Sequence, residues 1–353
     1  MGPIDGHNLD ELTEALMVAK MMQRPCLVHI YTKKGKGYAP AEDNSGEYHG
    51  LPPKKDDDNN CKGECFTDAF GKALLSFADN DNSIYAVTAA MKYGTGLQHF
   101  YKAFPERFFD VGIAEQHAVT FSAGLASQGK LPVFAVYSSF LQRSYDQLIH
   151  DCAIEKRHIV LGIDRAGFVG EDGETHHGLF DVAMLTTVPG VTVYSPSDTA
   201  ELLQCLEQAL YKDKGVVAVR YPRGCELYRS GTKAYSDFRH VSNKSRKLIF
   251  TYGRISAYAY TIHGVDVLQA IKIFPIADEI INICLAYDEI YAFEEGEREG
   301  GIAQKLCTAL ALAGFKGRFT ITAVDGFVRH ADVATQLHNA MLDADGMRKI
   351  TGE

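Results

Sequence analysis

From Phe66 to Arg220, short apolar runs of strand length alternate with segments whose apolar residues recur at helical spacing, and this alternation narrows the fold more than any other feature. Helices are expected at 66–79, 97–103, 115–127, 139–153 and 198–212, and strands at 84–88, 108–110, 132–136, 158–163, 191–194 and 216–220. Strands joined through helices pair in parallel, and the crossovers cover both faces of the sheet. A second alternation follows, with strands at 247–251, 266–272, 289–293 and 318–322 and helices at 276–285, 300–313 and 331–343. The expected fold class is therefore α/β, a parallel-sheet domain followed by a smaller α/β carboxy-terminal domain.

The boundaries come from composition. The Pro, Lys, Asp and Asn run within 51–65 has no apolar periodicity and reads as an exposed linker, and 230–246 reads as a second. Three blocks result: 1–50, 66–229 and 247–353. In the first, residues 8–22 read as a helix with Leu9, Leu12, Leu16, Val18 and Met21 inward, and 26–31 as a buried strand. One helix and one strand cannot make a domain, so this block is expected to be loosely packed, borrowed by a partner or docked on the next domain.

The bulk properties narrow the function. A chain of 353 residues with 46% apolar content can bury more than one core, and a net charge of -9 disfavours nonspecific attraction to nucleic acid or anionic membrane. The start, Met1 to Gly6, lacks the pattern of a secretion signal, and no run approaches the ~18 apolar residues of a membrane helix, so a cytoplasmic protein is expected. The eight cysteines lack the density of a disulfide scaffold and are expected to be reduced. Cys61 and Cys65 are half of a zinc spacing with no second half, so no metal residue is assigned.

The chemistry lies in a series of motifs. Asp110-Val111-Gly112-Ile113-Ala114-Glu115-Gln116-His117-Ala118 ends a strand and opens a helix with an acid. Alone, Glu115 reads better as a helix-start glutamate favoured by the dipole. It is followed by Tyr137-Ser138-Ser139-Phe140-Leu141-Gln142-Arg143, Asp164-Arg165-Ala166-Gly167, Gly170-Glu171-Asp172-Gly173-Glu174-Thr175-His176 and Arg220-Tyr221-Pro222-Arg223-Gly224. Arg143, Arg165 and Arg223 each fall just past a strand or at a helix start, and the guanidinium fork suits bidentate phosphate binding. The loop from Ala166 to about Phe180 follows a strand's carboxyl end, where open α/β sheets bind ligands. Asp172 and His176 stand four apart on it, a spacing that lets one orient the other. His117 and His177 read as secondary, a core histidine being at least as good a reading of His117, and Asp110 and Asp181 read as helix caps.

In order and spacing these motifs closely resemble the 1-deoxy-D-xylulose-5-phosphate synthases, thiamine diphosphate-dependent enzymes of the transketolase-like family. The likeness is dense from Gly2 to about Gly224 and collinear beyond, through Lys272–Glu279 and Glu294-Glu295-Gly296. It implies a parallel-sheet pyrimidine-binding domain of transketolase type, with Glu115 engaging the cofactor's pyrimidine nitrogen. It further implies that Tyr38, in the basic loop 32–38, and Phe140 touch the cofactor, and that His49 and His176 assist catalysis with Asp172. Tyr137, Arg165 and Arg223 are implied to take the phosphate of glyceraldehyde 3-phosphate, with Arg143 bracing the rim. The substrates implied are pyruvate and glyceraldehyde 3-phosphate, and the assembly a homodimer.

The family's Gly-Asp-Gly motif, which holds magnesium and the diphosphate, occurs nowhere in the sequence. The first block is therefore expected to be a remnant of the pyrophosphate-binding domain. The chain is expected to be inactive alone and to join a second chain that supplies this site. Two alternatives stay open: the carboxy-terminal subunit of a split transketolase or a 2-oxoacid dehydrogenase beta-like chain, and a noncatalytic interaction remnant.

Overall fold

The computed structural model describes residues 1–49, 63–229, 231 and 234–353, so most of the linker expected at 51–65, with Cys61, lies outside the described residues. The chain divides into two units, Met1–Asn60 and Cys61–Glu353.

In the first unit, β1 (Ile4–Asp5) pairs in parallel with β2 (Ile30–Tyr31). Between them runs α1 (Leu9–Met21), and α2 (Ala39–Asp43) follows. Asn8 caps α1, accepting from the Glu11 amide at 3.3 Å while its own amide group donates to the Glu11 carboxylate at 2.8 Å. The expected inward face is not buried: Leu9, Leu16, Val18 and Met21 are exposed, and Ala15 is the buried residue of the helix. The strand expected at 26–31 shrinks to two exposed residues. The helix pattern was right and the burial was not, because two strands supply no second layer to pack against.

The second unit is built on a seven-stranded sheet: β3 (Ile84–Thr88), β4 (Phe108–Asp110), β5 (Leu131–Tyr137), β6 (Ile159–Asp164), β7 (Thr192–Tyr194), β8 (Val216–Arg220) and a later strand, β12 (Lys272–Phe274). Its order is β12-β7-β8-β6-β5-β3-β4, parallel throughout except for β12. Period-two alternation sends Phe134 and Val136 to one face and Val133 and Ala135 to the other. The second face packs α3 (Phe66–Asn80) and α9 (Thr199–Tyr211) through Phe70, Leu74, Leu202 and Leu206. The first packs α5 (Glu115–Ser127) through Ala118 and Val119. Shorter helices α4 (Gln98–Ala103) and α8 (Asp181–Leu185) complete the layers.

The single helix expected at 139–153 is a composite: α6 (Ser138–Leu141), a 3-10 turn (Gln142–Ser144), α7 (Tyr145–Gln147) and a π turn (Leu148–Ala153). Apolar spacing reports which face is buried, not the pitch of the ladder, and π turns gather at functional segments.

A five-stranded sheet follows in the order β14-β13-β10-β11-β9. Its members are β9 (Phe238–Val241), β10 (Lys247–Tyr252), β11 (Asp266–Ala270), β13 (Glu289–Glu297) and β14 (Arg318–Val324), all parallel except β9. Its helices are α10 (Ser256–Ala259), α11 (Asp278–Cys284), α12 (Ile302–Leu312), α13 (Val333–Asn339) and α14 (Ala344–Thr351). Two expectations change here. The segment read as linker 230–246 contributes the edge strand β9, and the strand read as 266–272 splits into β11 and β12, one in each sheet. One continuous core holds Phe134 and Ile163 of the first sheet with Leu248, Phe250 and Leu268 of the second.

Cys225 is disulfide-bonded, which overturns the expectation that every thiol is reduced, whereas Cys26, Cys152, Cys205, Cys284 and Cys307 are free thiols. Among the described residues no helix is long and apolar enough to cross a membrane.

Candidate active site

Because β3, β4, β5, β6 and β8 are parallel, their carboxyl ends share one edge. Thr88 pairs with both Ala135 and Asp110, Tyr137 with Asp164, and Ile163 with Arg220. The residues that follow these ends are those the sequence singled out.

Beyond β4, the Asp110 carboxylate accepts from the Ala90 amide at 2.7 Å and the Gly112 amide at 3.1 Å, and Gly112 turns the chain at φ 73°. Asp110 thus pins the loop and does not cap α5, whose cap position is Ala114. This pinned turn puts Glu115 at the first position of the helix, where the dipole favours a carboxylate, and leaves it 2% exposed. Arg143 donates to Glu115 Oε1 at 2.6 Å. Arg143 is half-exposed while the carboxylate is buried, so the pair sets a buried anion against a counter-charge that reaches the surface.

From Arg143 the contacts run on without a break. Its guanidinium lies 4.9 Å from the Phe140 ring centre, Phe140 stacks on Tyr137 at 5.6 Å, and the Arg165 guanidinium covers the Tyr137 ring at 3.8 Å. The His176 ring meets Phe140 edge-on at 5.1 Å, and its Nδ1 bonds the Thr175 hydroxyl at 2.9 Å. Asp172 does not orient His176. Its carboxylate lies 3.4 Å from Arg165 Nε and 3.2 Å from Arg223 Nη1. The short 3-10 turns Gly170–Asp172 and Glu174–His176, separated by Gly173 at φ 85°, point the two side chains to different partners. Arg223 also donates to the Val169 carbonyl at 3.1 Å. The three arginines thus belong to one chain of contacts, with Arg143 at Glu115 and Arg165 and Arg223 at the far end.

The positive φ of Arg165, 61°, turns its guanidinium back over the sheet end, where Nη1 donates to the Gly94 carbonyl at 2.5 Å and to Asp164 at 3.1 Å. Asp164, fully buried, accepts from Thr67 at 2.7 Å and from the Arg165 amide at 2.7 Å. Burial raises its carboxyl to about 6, with Arg165 opposing that rise. Burial likewise pushes the Tyr137 phenol above its ordinary value.

The remaining sequence candidates are placed as follows. In the first unit, Tyr38 is exposed and meets Tyr48 edge-on at 5.7 Å, and His49 bonds Lys34 at 2.6 Å. His117 is exposed, not a core histidine. His177 is the buried one: it accepts from the Val169 amide at 3.3 Å, and burial lowers its affinity for a proton. Asp181 does not cap a helix; it forms a buried ion pair with Arg220, 2.8 Å from its Nε. Sequence reasoning missed Asp164 as the anchor of Arg165, although it sits in the same quoted motif. It also assigned no role to Arg254 and Glu295, which bond each other against the loop after β6.

The transketolase pyrimidine-binding domain family matches residues 65–226, the segment that carries six of the seven strands of the first sheet and the edge described above. Residues 65–226 belong to the transketolase pyrimidine-binding domain family. The 1-deoxy-D-xylulose-5-phosphate synthase family matches residues 1–32. Similar proteins include the 1-deoxy-D-xylulose-5-phosphate synthase of Caldanaerobacter subterraneus, 39% identical over 98% of this chain and 58% of that one. That of Clostridium kluyveri is 47% identical over 73% of this chain and 42% of its own length. The chain thus spans about half the length of these relatives. A split-gene transketolase, solved as an inactive beta4 tetramer, shares the fold with TM-score 0.70 at 23% identity, covering 80% of this chain and 96% of its own.

Proposed function

We propose that this transketolase-like chain carries the pyrimidine-facing and acceptor-facing parts of a 1-deoxy-D-xylulose-5-phosphate synthase. The reaction condenses pyruvate with glyceraldehyde 3-phosphate and releases carbon dioxide, and its product feeds isoprenoid and thiamine precursor synthesis. The observation that carries the reading is the unbroken chain of contacts from the buried Glu115 carboxylate through Arg143, Phe140, Tyr137 and Arg165 to Asp172 and Arg223.

The residues fit the pyrimidine end of thiamine diphosphate: a buried carboxylate stands near the partly open ring of Phe140, linked to it through Arg143. When bound, that cofactor supplies a carbon nucleophile toward the pyruvate carbonyl. Glu115 would share a proton with the pyrimidine nitrogen, and Phe140 would wall the ring. Arg143 holds one carboxylate oxygen, which fixes the direction in which the acid faces. Arg165 and Arg223 would take the acceptor's phosphate together with the Tyr137 hydroxyl, each guanidinium exchanging part of its pairing with Asp172 for the dianion. Freed from that pairing, Asp172 would face the acceptor's hydroxyl groups beside His176.

Among the described residues no group of three or more His, Cys, Asp or Glu is arranged to hold a metal ion. Magnesium and the diphosphate would be held by a pyrophosphate-binding domain that carries Gly-Asp-Gly, and the assembly would be a homodimer or a complex with a chain supplying that domain, in the cytoplasm. The test is product formation by the purified chain, alone and mixed with a pyrophosphate-binding domain that carries Gly-Asp-Gly. Product in the mixture but not with the chain alone supports the reading. Glyceraldehyde 3-phosphate going unused in both, while pyruvate is consumed in the mixture, would favour a different transketolase-like reaction.

A further inference from the structure

The Ala166–Val169 strip after Arg165 is held by two residues of the second sheet and its first turn. The Phe168 amide donates to Glu295 Oε1 at 2.7 Å, and the Phe168 carbonyl accepts from Arg254 Nη2 at 2.9 Å. Arg254 and Glu295 bond each other side-on through two contacts, one of them Nε to Oε2 at 2.9 Å. Arg254 Nη1 also donates to the carbonyl of Arg223 at 3.3 Å. Both residues are buried, at 6% and 5% exposure. At Gly167, φ is 86°, and a Cβ there would run into the Glu295 carboxylate, so the backbone approaches the clamp as closely as glycine allows.

One ion pair therefore grips the backbone of Phe168, the residue after Asp164-Arg165-Ala166-Gly167, and that of Arg223, which ends Arg220-Tyr221-Pro222-Arg223. A buried pair contributes little net stability against an apolar replacement, and its best-attested use is fixing one arrangement among several. We propose that Arg254 and Glu295 are positioning residues that set the separation of Arg165 and Arg223, and with it the affinity for a phosphorylated acceptor. This rests on the functional reading above, in which those two arginines take the phosphate.

The experiment uses the full chain with three variants: Glu295→Gln, the charge-removing pair Arg254→Met with Glu295→Gln, and Arg223→Met as the rim control. The double variant keeps the test open if the single one, left with an unpaired buried guanidinium, fails to fold. Backbone amide exchange and binding of D-glyceraldehyde 3-phosphate by calorimetry are read together. We expect exchange at 165–169 and 221–224 to rise at least tenfold while the strands 248–252 and 266–270 stay protected, with acceptor affinity falling at least fivefold. Unchanged exchange at 165–169 overturns the proposal, as does equal loosening of the second sheet, which would make the pair merely structural. If the unaltered chain and Arg223→Met bind the acceptor equally, the phosphate reading fails and the positioning role falls with it, even where exchange responds as expected.

Discussion

At the scale of single residues, Glu115 is where burial and charge meet. Its carboxylate is buried, starts a helix and is tied to one guanidinium. Glu115→Gln keeps the shape and removes the proton exchange, so in a complemented assay turnover should fall on the order of 10²–10⁴-fold with little change in thermal midpoint. Arg165→Met and Arg223→Met act on the other substrate. Loss of a charge-assisted contact of about 1.5–3 kcal/mol should raise the KM for glyceraldehyde 3-phosphate roughly 10–100-fold and leave that for pyruvate near its starting value. Steady-state kinetics with each substrate varied in turn separates the two. The positions of these residues at strand ends and in glycine-marked loops were legible in the sequence, but their roles came from the family resemblance, since Glu115 alone reads as a helix-start glutamate. What Asp172 touches was not legible, since a four-residue spacing brings two side chains to one face on a continuous α-helix, and here each residue ends its own 3-10 turn with Gly173 between the turns.

At the scale of elements, the end of β6 sets the rim. Asp164 is buried with its carboxyl raised to about 6. A folded-state value above the unfolded one means that the native state binds the extra proton. The contribution to stability is therefore fullest below about pH 4 and is lost as pH rises towards 6. The difference in unfolding free energy between the native sequence and Asp164→Asn should shift against the native sequence across that window, by at most a few kcal/mol. Denaturant titrations from pH 4 to 7 check the sign, and a difference that is flat with pH would refute it. In the same loop, Gly167→Ala meets both a left-handed backbone and the Glu295 carboxylate, and should cost about 1–3 kcal/mol. Helix and strand positions here were mostly readable from period. The composite helix over 138–153 and the division of 266–274 between two sheets were not, because both are decided by what the segment packs against.

At the scale of the molecule, Cys61–Glu353 is one unit whose two sheets share a core and the Arg254–Glu295 clamp. Composition marked the second boundary at 230–246 but could not reveal that β9 edges the second sheet and that β12 crosses into the first, since short edge strands carry too few residues for a periodic signal. Met1–Asn60 shows the converse: its helix pattern was correct, yet Leu9, Leu16 and Met21 remain exposed. That exposed apolar face predicts association, to be read as a mass above that of the monomer by light scattering at micromolar concentration. The most direct test of the assignment is the rate of 1-deoxy-D-xylulose 5-phosphate formation by the chain complemented with a Gly-Asp-Gly domain, thiamine diphosphate and magnesium, compared with the same mixture carrying Glu115→Gln. Product from the first and a loss of at least 10²-fold in the second is predicted; equal rates from the two would contradict a catalytic role for Glu115.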